Sequence, residues 1–293
     1  MIFHSGFEPD TANVGGDLSR DIEGIDLSVS APNDWTTDLE GYPSFGAFRT
    51  GGFCDGATIT ANDHKVRIVD DPTGAVNGAT SNVNRVLHLW NRDPDDTTCG
   101  WATRPTSQIS DVDGSMPAVY FKFRLYLDAD VALWAGCPGW LQLWEAKREI
   151  TNSSDFFSLE LLLVQAQNGS LAWRARNRVC CGSPQPSFQW EEDNESVPIP
   201  YDEWITAEIY WQKGTELDGR FVFTIQREGQ PRQTLFDVTG ATVYPPEPDS
   251  TMYQFKLATV YAAKEAAQCV DGKGGVLQAY WDDWEIWDGM LTR

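Results

Sequence analysis

His88, Trp90 and Arg92 stand at alternate positions in NRVLHLWNR, and Trp140, Gln142 and Trp144 do so in WLQLWEAK. Each type has a distinct chemical use. Histidine takes or gives a proton near neutral pH. Glutamine, arginine and lysine donate to an oxygen that gains negative charge during a reaction. Tryptophan stacks on flat apolar faces while keeping a polar handle. Because side chains on a strand alternate between its two faces, Val86, His88, Trp90 and Arg92 share one face of the first segment. Trp140, Gln142 and Trp144 share one face of the second. In YQFKLATVY, Lys256 lies with Gln254 and Ala258, opposite Tyr253, Phe255 and Leu257. Such faces suit a binding cleft better than a core. Other uses stay open: His88 as a hydrogen-bonded structural residue, the three tryptophans as packing between sheets, Arg92 and Lys256 as solvated edge charges. Glu145 and Glu160 offer a carboxylate pair for glycoside hydrolysis.

Strands must carry these residues. VYFKFRLYL, FFSLELLLVQ, SLAWRARN, EWITAEIYWQ, RFVFTIQRE and QAYWDDWEIWD join the three segments above, separated by turn clusters such as QNGS, REGQP and YPPEPDS. The helix-like AAKEAAQ (262–268) is too short to count as an element. No βαβ rhythm occurs, so the expected fold is all-β: a two-sheet antiparallel jelly roll with a concave groove. One domain over 1–293 is expected, loop-rich with edge strands over 1–80 and with the main sandwich over 81–290.

Composition narrows the partners. Lys and Arg number 22 against 43 Asp and Glu, a formal charge of −21. No basic stripe for phosphates appears, so neither nucleic acid nor an anionic membrane is an expected partner. No apolar run approaches the ~18 residues of a membrane-spanning helix. Thirteen tryptophans in an acidic chain lean toward carbohydrate. Cys54, Cys99, Cys137, Cys180, Cys181 and Cys269 sit in Gly/Pro-rich loop contexts without a CxxC pair, which points to at least two disulfides and a secreted protein. On that reading Met1 is an added start before a mature chain. Asn152, Asn168 and Asn194 open glycosylation sequons. A monomer without an organic cofactor is expected.

The order of these segments over about residues 84–290 resembles the concanavalin-like jelly-roll polysaccharide lyases of the alginate, glucuronan and heparin lyase type. Their Gln-x-His strand corresponds to Gln142-Leu143-Trp144, with Trp in place of His. Their Phe-Lys strand ending in Tyr corresponds to Phe255 through Tyr261, and their arginine strand to Arg85–Arg92. The resemblance implies β-elimination at a uronic acid within a polysaccharide. Among its matched positions, Gln142, Lys256, Tyr261 and the arginine strand with Arg92 are expected to be catalytic; His88, on a strand where the family has no His, is the expected substitute for the missing one, and Trp90, Trp140, Trp144, Arg174 and Arg176 are the expected substrate-binding residues. GFEPDT and YWDDWEIW resemble the first and last strands of jelly-roll carbohydrate modules, which implies a structural Ca²⁺ held by Glu8, Asp282 and Asp283. Two alternatives stand beside the lyase: a non-catalytic carbohydrate-binding module, and a glycoside hydrolase using Glu145 and Glu160.

Overall fold

The computed structural model describes residues 3–5, 22–23, 48–51, 64–75, 84–91, 106–112, 116–149, 156–180, 187–214, 218–243 and 253–289. Its strands in chain order begin with β1 (Phe3–Ser5), β2 (Ile22–Glu23), β3 (Phe48–Gly51), β4 (His64–Asp70), β5 (Arg85–Asn91) and β6 (Thr106–Val112). Next come β7 (Ala118–Leu127), β8 (Trp140–Glu149), β9 (Phe156–Gln165), β10 (Leu171–Cys180), β11 (Ser187–Asn194) and β12 (Trp204–Gln212). The last are β13 (Arg220–Arg227), β14 (Gln233–Thr239), β15 (Tyr253–Thr259), β16 (Tyr261–Ala262) and β17 (Leu277–Asp288).

Two sheets result, antiparallel apart from the short parallel pair of β2 with β4. The first runs β14-β13-β12-β7-β17-β5-β4-β2, with β1 also on β17. The second runs β11-β10-β9-β8-β15-β6-β3, with β16 also on β8. Alternation dictates the sandwich. Phe121, Phe123 and Leu125 of β7 turn inward with Ile205, Ala207 and Ile209 of β12, and meet Leu159, Leu161 and Leu163 of β9 in one core. Aromatic rings interlock there: Phe123 stacks on Trp284 at 4.2 Å, and Phe121 meets Trp144 and Phe255 edge-on at 5.2 and 5.0 Å. The expected two-sheet jelly roll is the architecture observed.

One expectation needs correcting. The AAKEAAQ stretch is part of a real element, α1 (Lys264–Gly272), nine residues long. Its Ala266, Ala267 and Val270 are buried in the core, and tertiary burial of that face stabilises a helix too short to persist alone. A disulfide from Cys269 of α1 to Cys137 fixes it beside a 3-10 turn, Ala129–Trp134. Cys54, Cys99 and Cys181 lie outside the described residues.

Candidate active site

Away from bulges, alternate residues of the second sheet point away from the core, and cross-strand registers align them in rows. Tyr261 of β16 stands opposite Gln142 of β8, then come Leu162, Arg174 and Asp193 on β9, β10 and β11. The next row is Lys256, Glu145, Glu160, Arg176 and Glu191. In the third, Lys147, Ser158, Arg178 and Phe188 follow one another across β8 to β11.

The first row, with Lys256 from the next, holds the candidate reactive groups. Gln142 is 1% exposed, and its Nε2 has no hydrogen-bond partner. A buried amide donor left unmatched costs free energy. Trp140 meets Tyr261 edge-on at 4.6 Å, and the Lys256 ammonium lies 5.7 Å from the centre of the Tyr261 ring. Lys256 is ion-paired with Glu145. Trp140 also packs against Leu162, Val164, Ala166 and Ala172, a small apolar cluster on this outer face.

The second row is held by Glu160. Ser158 Oγ and Arg178 Nε donate to its Oε1 at 2.6 and 2.7 Å, and Arg176 Nε donates to its Oε2 at 2.6 Å. Burial pushes the Glu160 carboxyl up, but the Arg176 and Arg178 guanidiniums and the Ser158 hydroxyl outweigh it and hold the group below its ordinary value. Arg174 forks onto Asp193 at 2.6 and 2.8 Å. The layering matters: Glu145 and Glu160 keep 3% and 1% side-chain exposure, while Lys256, Arg176, Arg178 and Arg174 keep 11%, 10%, 17% and 24%. Glu145 and Glu160 form a buried floor beneath these cations, while Glu191 and Asp193, at 30% and 35%, share the surface with Arg174.

Gln142, Lys256, Tyr261, Trp140, Arg174 and Arg176 thus share one face. His88 and Trp90 do not. Their strand β5 sits between β17 and β4 in the first sheet, and the side chains lie on that sheet's outer face. His88 is 5% exposed, stacked between Trp90 at 4.6 Å and Tyr280 at 4.3 Å, with Nε2 3.0 Å from Gln278 Oε1. Trp144 is in the core, fully buried. A bulge between Gln142 and Trp144 inserts Leu143 as an extra residue, which inverts the alternation beyond it. Arg92 lies outside the described residues. Arg178, Ser158 and Phe188 lie on this face too and were not singled out from the sequence, although Arg174-x-Arg176-x-Arg178 is itself a period-two signal.

The expected calcium set was Glu8, Asp282 and Asp283. Glu8 lies outside the described residues, and no group of three metal-binding side chains converges among the described ones. Asp282 is buried; its Oδ2 accepts from Asn84 Nδ2 at 2.9 Å, with Arg124 Nη1 at 3.6 Å, and its Oδ1 accepts from the Asp283 N–H at 2.8 Å. Burial, with the neighbouring Asp283 charge, pushes its carboxyl up to about 7. Both Asp282 oxygens are thus engaged by protein N–H donors. Asp283 is the extra residue of a second bulge, at φ 48°.

No protein-family model matches the sequence, and no curated protein matches it either. Solved structures do match in fold. An alginate lyase of polysaccharide lyase family 14 from Aplysia kurodai superposes with a TM-score of 0.52 at 10% identity, covering 98% of each chain. An endo-β-1,4-glucuronan lyase from the fungus Trichoderma reesei gives a TM-score of 0.53 at 12% identity, covering 84% of this chain and 96% of that one. The fold is therefore the jelly roll on which these polysaccharide lyases are built.

Proposed function

We propose that the protein is a secreted polysaccharide lyase that cleaves a uronate-containing glycan by β-elimination on the outer face of the second sheet. The observation that carries this reading is the buried, unmatched Gln142 amide directly opposite Tyr261, beside the Lys256 ammonium. Elimination needs this combination. Gln142 Nε2 donates to the carboxylate attached to C5, and its bond strengthens as the C5 proton leaves and a dianion develops. Lys256 adds positive charge on the same side. Tyr261 takes the C5 proton, the electron pair forms the C4=C5 bond, the C4–O4 bond breaks, and the proton passes to O4. With His88 on the other sheet, Tyr261 serves as both base and acid. Trp140 offers an apolar edge for the sugar ring.

The fold likeness to an alginate lyase and a glucuronan lyase supports the reaction class, and the Cys137–Cys269 disulfide supports an oxidising, exported location. Hydrolysis through Glu145 and Glu160 is disfavoured. Glu145 is ion-paired with Lys256 and Glu160 with Arg176 and Arg178, and both carboxyls are buried beneath those cations, so neither is placed to protonate a leaving oxygen. The test is incubation with alginate, β-1,4-glucuronan and other uronans while following the ultraviolet absorbance of the conjugated C4=C5 product. Activity that falls by roughly 10²–10⁴ in Tyr261→Phe is expected. New reducing ends without that absorbance would overturn the lyase reading.

A further inference from the structure

Among the described residues, Phe188 is the large apolar side chain left exposed, at 47%. It lies on the edge strand β11, on the outer face of the second sheet, and the Arg176 guanidinium lies 5.7 Å from its ring centre. That same guanidinium is anchored to Glu160. An aromatic ring kept in solvent beside an immobilised arginine offers an apolar face next to a fixed donor, the pair of contacts that a pyranose carrying a carboxylate satisfies.

Resting on the lyase reading, we infer that Phe188 is a stacking platform for a remote ring of the same glycan chain, so that the protein grips long chains. Position follows from the rows. Phe188 is four strands from Tyr261, about 19 Å at about 4.8 Å per strand. Its register partner Arg178 lies four positions beyond Arg174 along β10, about 13 Å at about 3.3 Å per residue. The two offsets combine to roughly 23 Å along the sheet, measured on those spacings. A 1,4-linked glycan advances by close to one strand spacing per ring, which places Phe188 four to five rings from the bond that is cut. Arg176 and Arg178 lie one strand before Phe188, on the buried Glu160 carboxylate, and meet the carboxylate of the ring that crosses β10.

Calorimetric titration of the wild type and of Phe188→Ala with alginate and β-1,4-glucuronan oligosaccharides of graded length, from dimer to octamer, tests this. Wild-type affinity should step up once the chain is long enough to reach Phe188. In Phe188→Ala the step should vanish, a loss of about tenfold on long chains for one stacking contact, with short-chain affinity unchanged. Phe188→Trp should retain the step. On polymer, KM should rise in the alanine variant while kcat holds. A Phe188→Ala protein whose length dependence equals the wild type's, or which is weakened equally at every length, overturns the platform. A wild type that shows the step yet releases no unsaturated product from either glycan overturns the lyase reading and leaves the platform standing. A wild type that binds no length of either glycan overturns the platform on these chains, while the lyase reading stands or falls on the absorbance assay with the full set of uronans.

Discussion

Replacing Cys137 and Cys269 together by serine should lower stability and loosen the site at once. The cross-link joins residues 132 apart, with Cα atoms at 6.0 Å, a separation a disulfide spans without backbone movement. The chain-entropy relation for a closed loop of that length gives about 5 kcal/mol, an upper value for a single cross-link. Spread over the unfolding entropy of a 293-residue chain at about 2.1 cal/mol/K per residue, this lowers the melting temperature by roughly 8 °C. The local consequence is sharper. β16 pairs with β8 through two residue pairs, Tyr261 with Gln142 and Ala262 with Leu141, and α1 begins immediately afterwards. The Ala263 N–H donates to the Trp140 carbonyl at 3.0 Å, and a Cβ built on Gly139 would lie 2.8 Å from Ala263 Cβ, so the two backbones touch here. Lys273 Nζ donates to the Leu133 and Ala135 carbonyls at 2.7 and 3.1 Å and retains part of the docking without the cross-link. The double variant should therefore fold, melt earlier, and show a lower kcat because Tyr261 samples positions away from Gln142. Thermal melts followed by circular dichroism, with initial rates on uronan below the transition, measure both. Melting and turnover equal to the wild type's would refute the claim that this cross-link positions Tyr261.

His88→Ala should leave turnover on uronan intact and lower stability by about 1–3 kcal/mol in denaturant melts, the usual cost of disturbing a buried polar group; a loss of turnover with unchanged stability would return His88 to the chemistry. Trp144→Ala should cost about 3–5 kcal/mol of stability, as large core truncations do, with oligosaccharide affinity unchanged below the melting transition. Glu160 sets an acid limit. Because its folded-state carboxyl lies below the ordinary value of 4.5, the stability it contributes is fully present above that value and is lost as pH falls through the lower, folded one. Urea midpoints of the wild type should drop steeply below about pH 4.5, and Glu160→Gln, already weaker by about 3–5 kcal/mol from the broken ion pair, should show a shallower drop; parallel acid limbs in the two proteins would remove Glu160 as the cause.

The fold was legible because alternation is a property of each strand taken alone, and β7, β9, β12 and β13 keep their period from end to end. The site was legible only where no bulge intervened and only within one strand. Gln142 lies before the extra residue of β8 and faces outward as its pattern says; Trp144 lies after it and faces the core, since one inserted residue exchanges the two faces. β17 repeats this at Asp283, which puts Trp284 in the core beside Phe123. Pairing between strands was the other hidden variable. The alternation of β5 is real, but a strand's own period says nothing about which sheet it joins, and β5 pairs with β4 and β17, so its His88-Trp90 face belongs to the opposite side of the molecule. Glu160 shows the converse case. Read alone, an acid in FFSLELLLVQ is an anomaly in an apolar strand; its partners lie on β10, where Arg176 and Arg178 flank it at period two, and the three become one charge network once β9 and β10 are paired in antiparallel register. A charged residue inside an otherwise apolar strand, answered by alternating opposite charges in the next strand of the chain, is therefore a sequence signal for an outward-facing site. In this chain it marks the same face as the Gln142–Tyr261 pair.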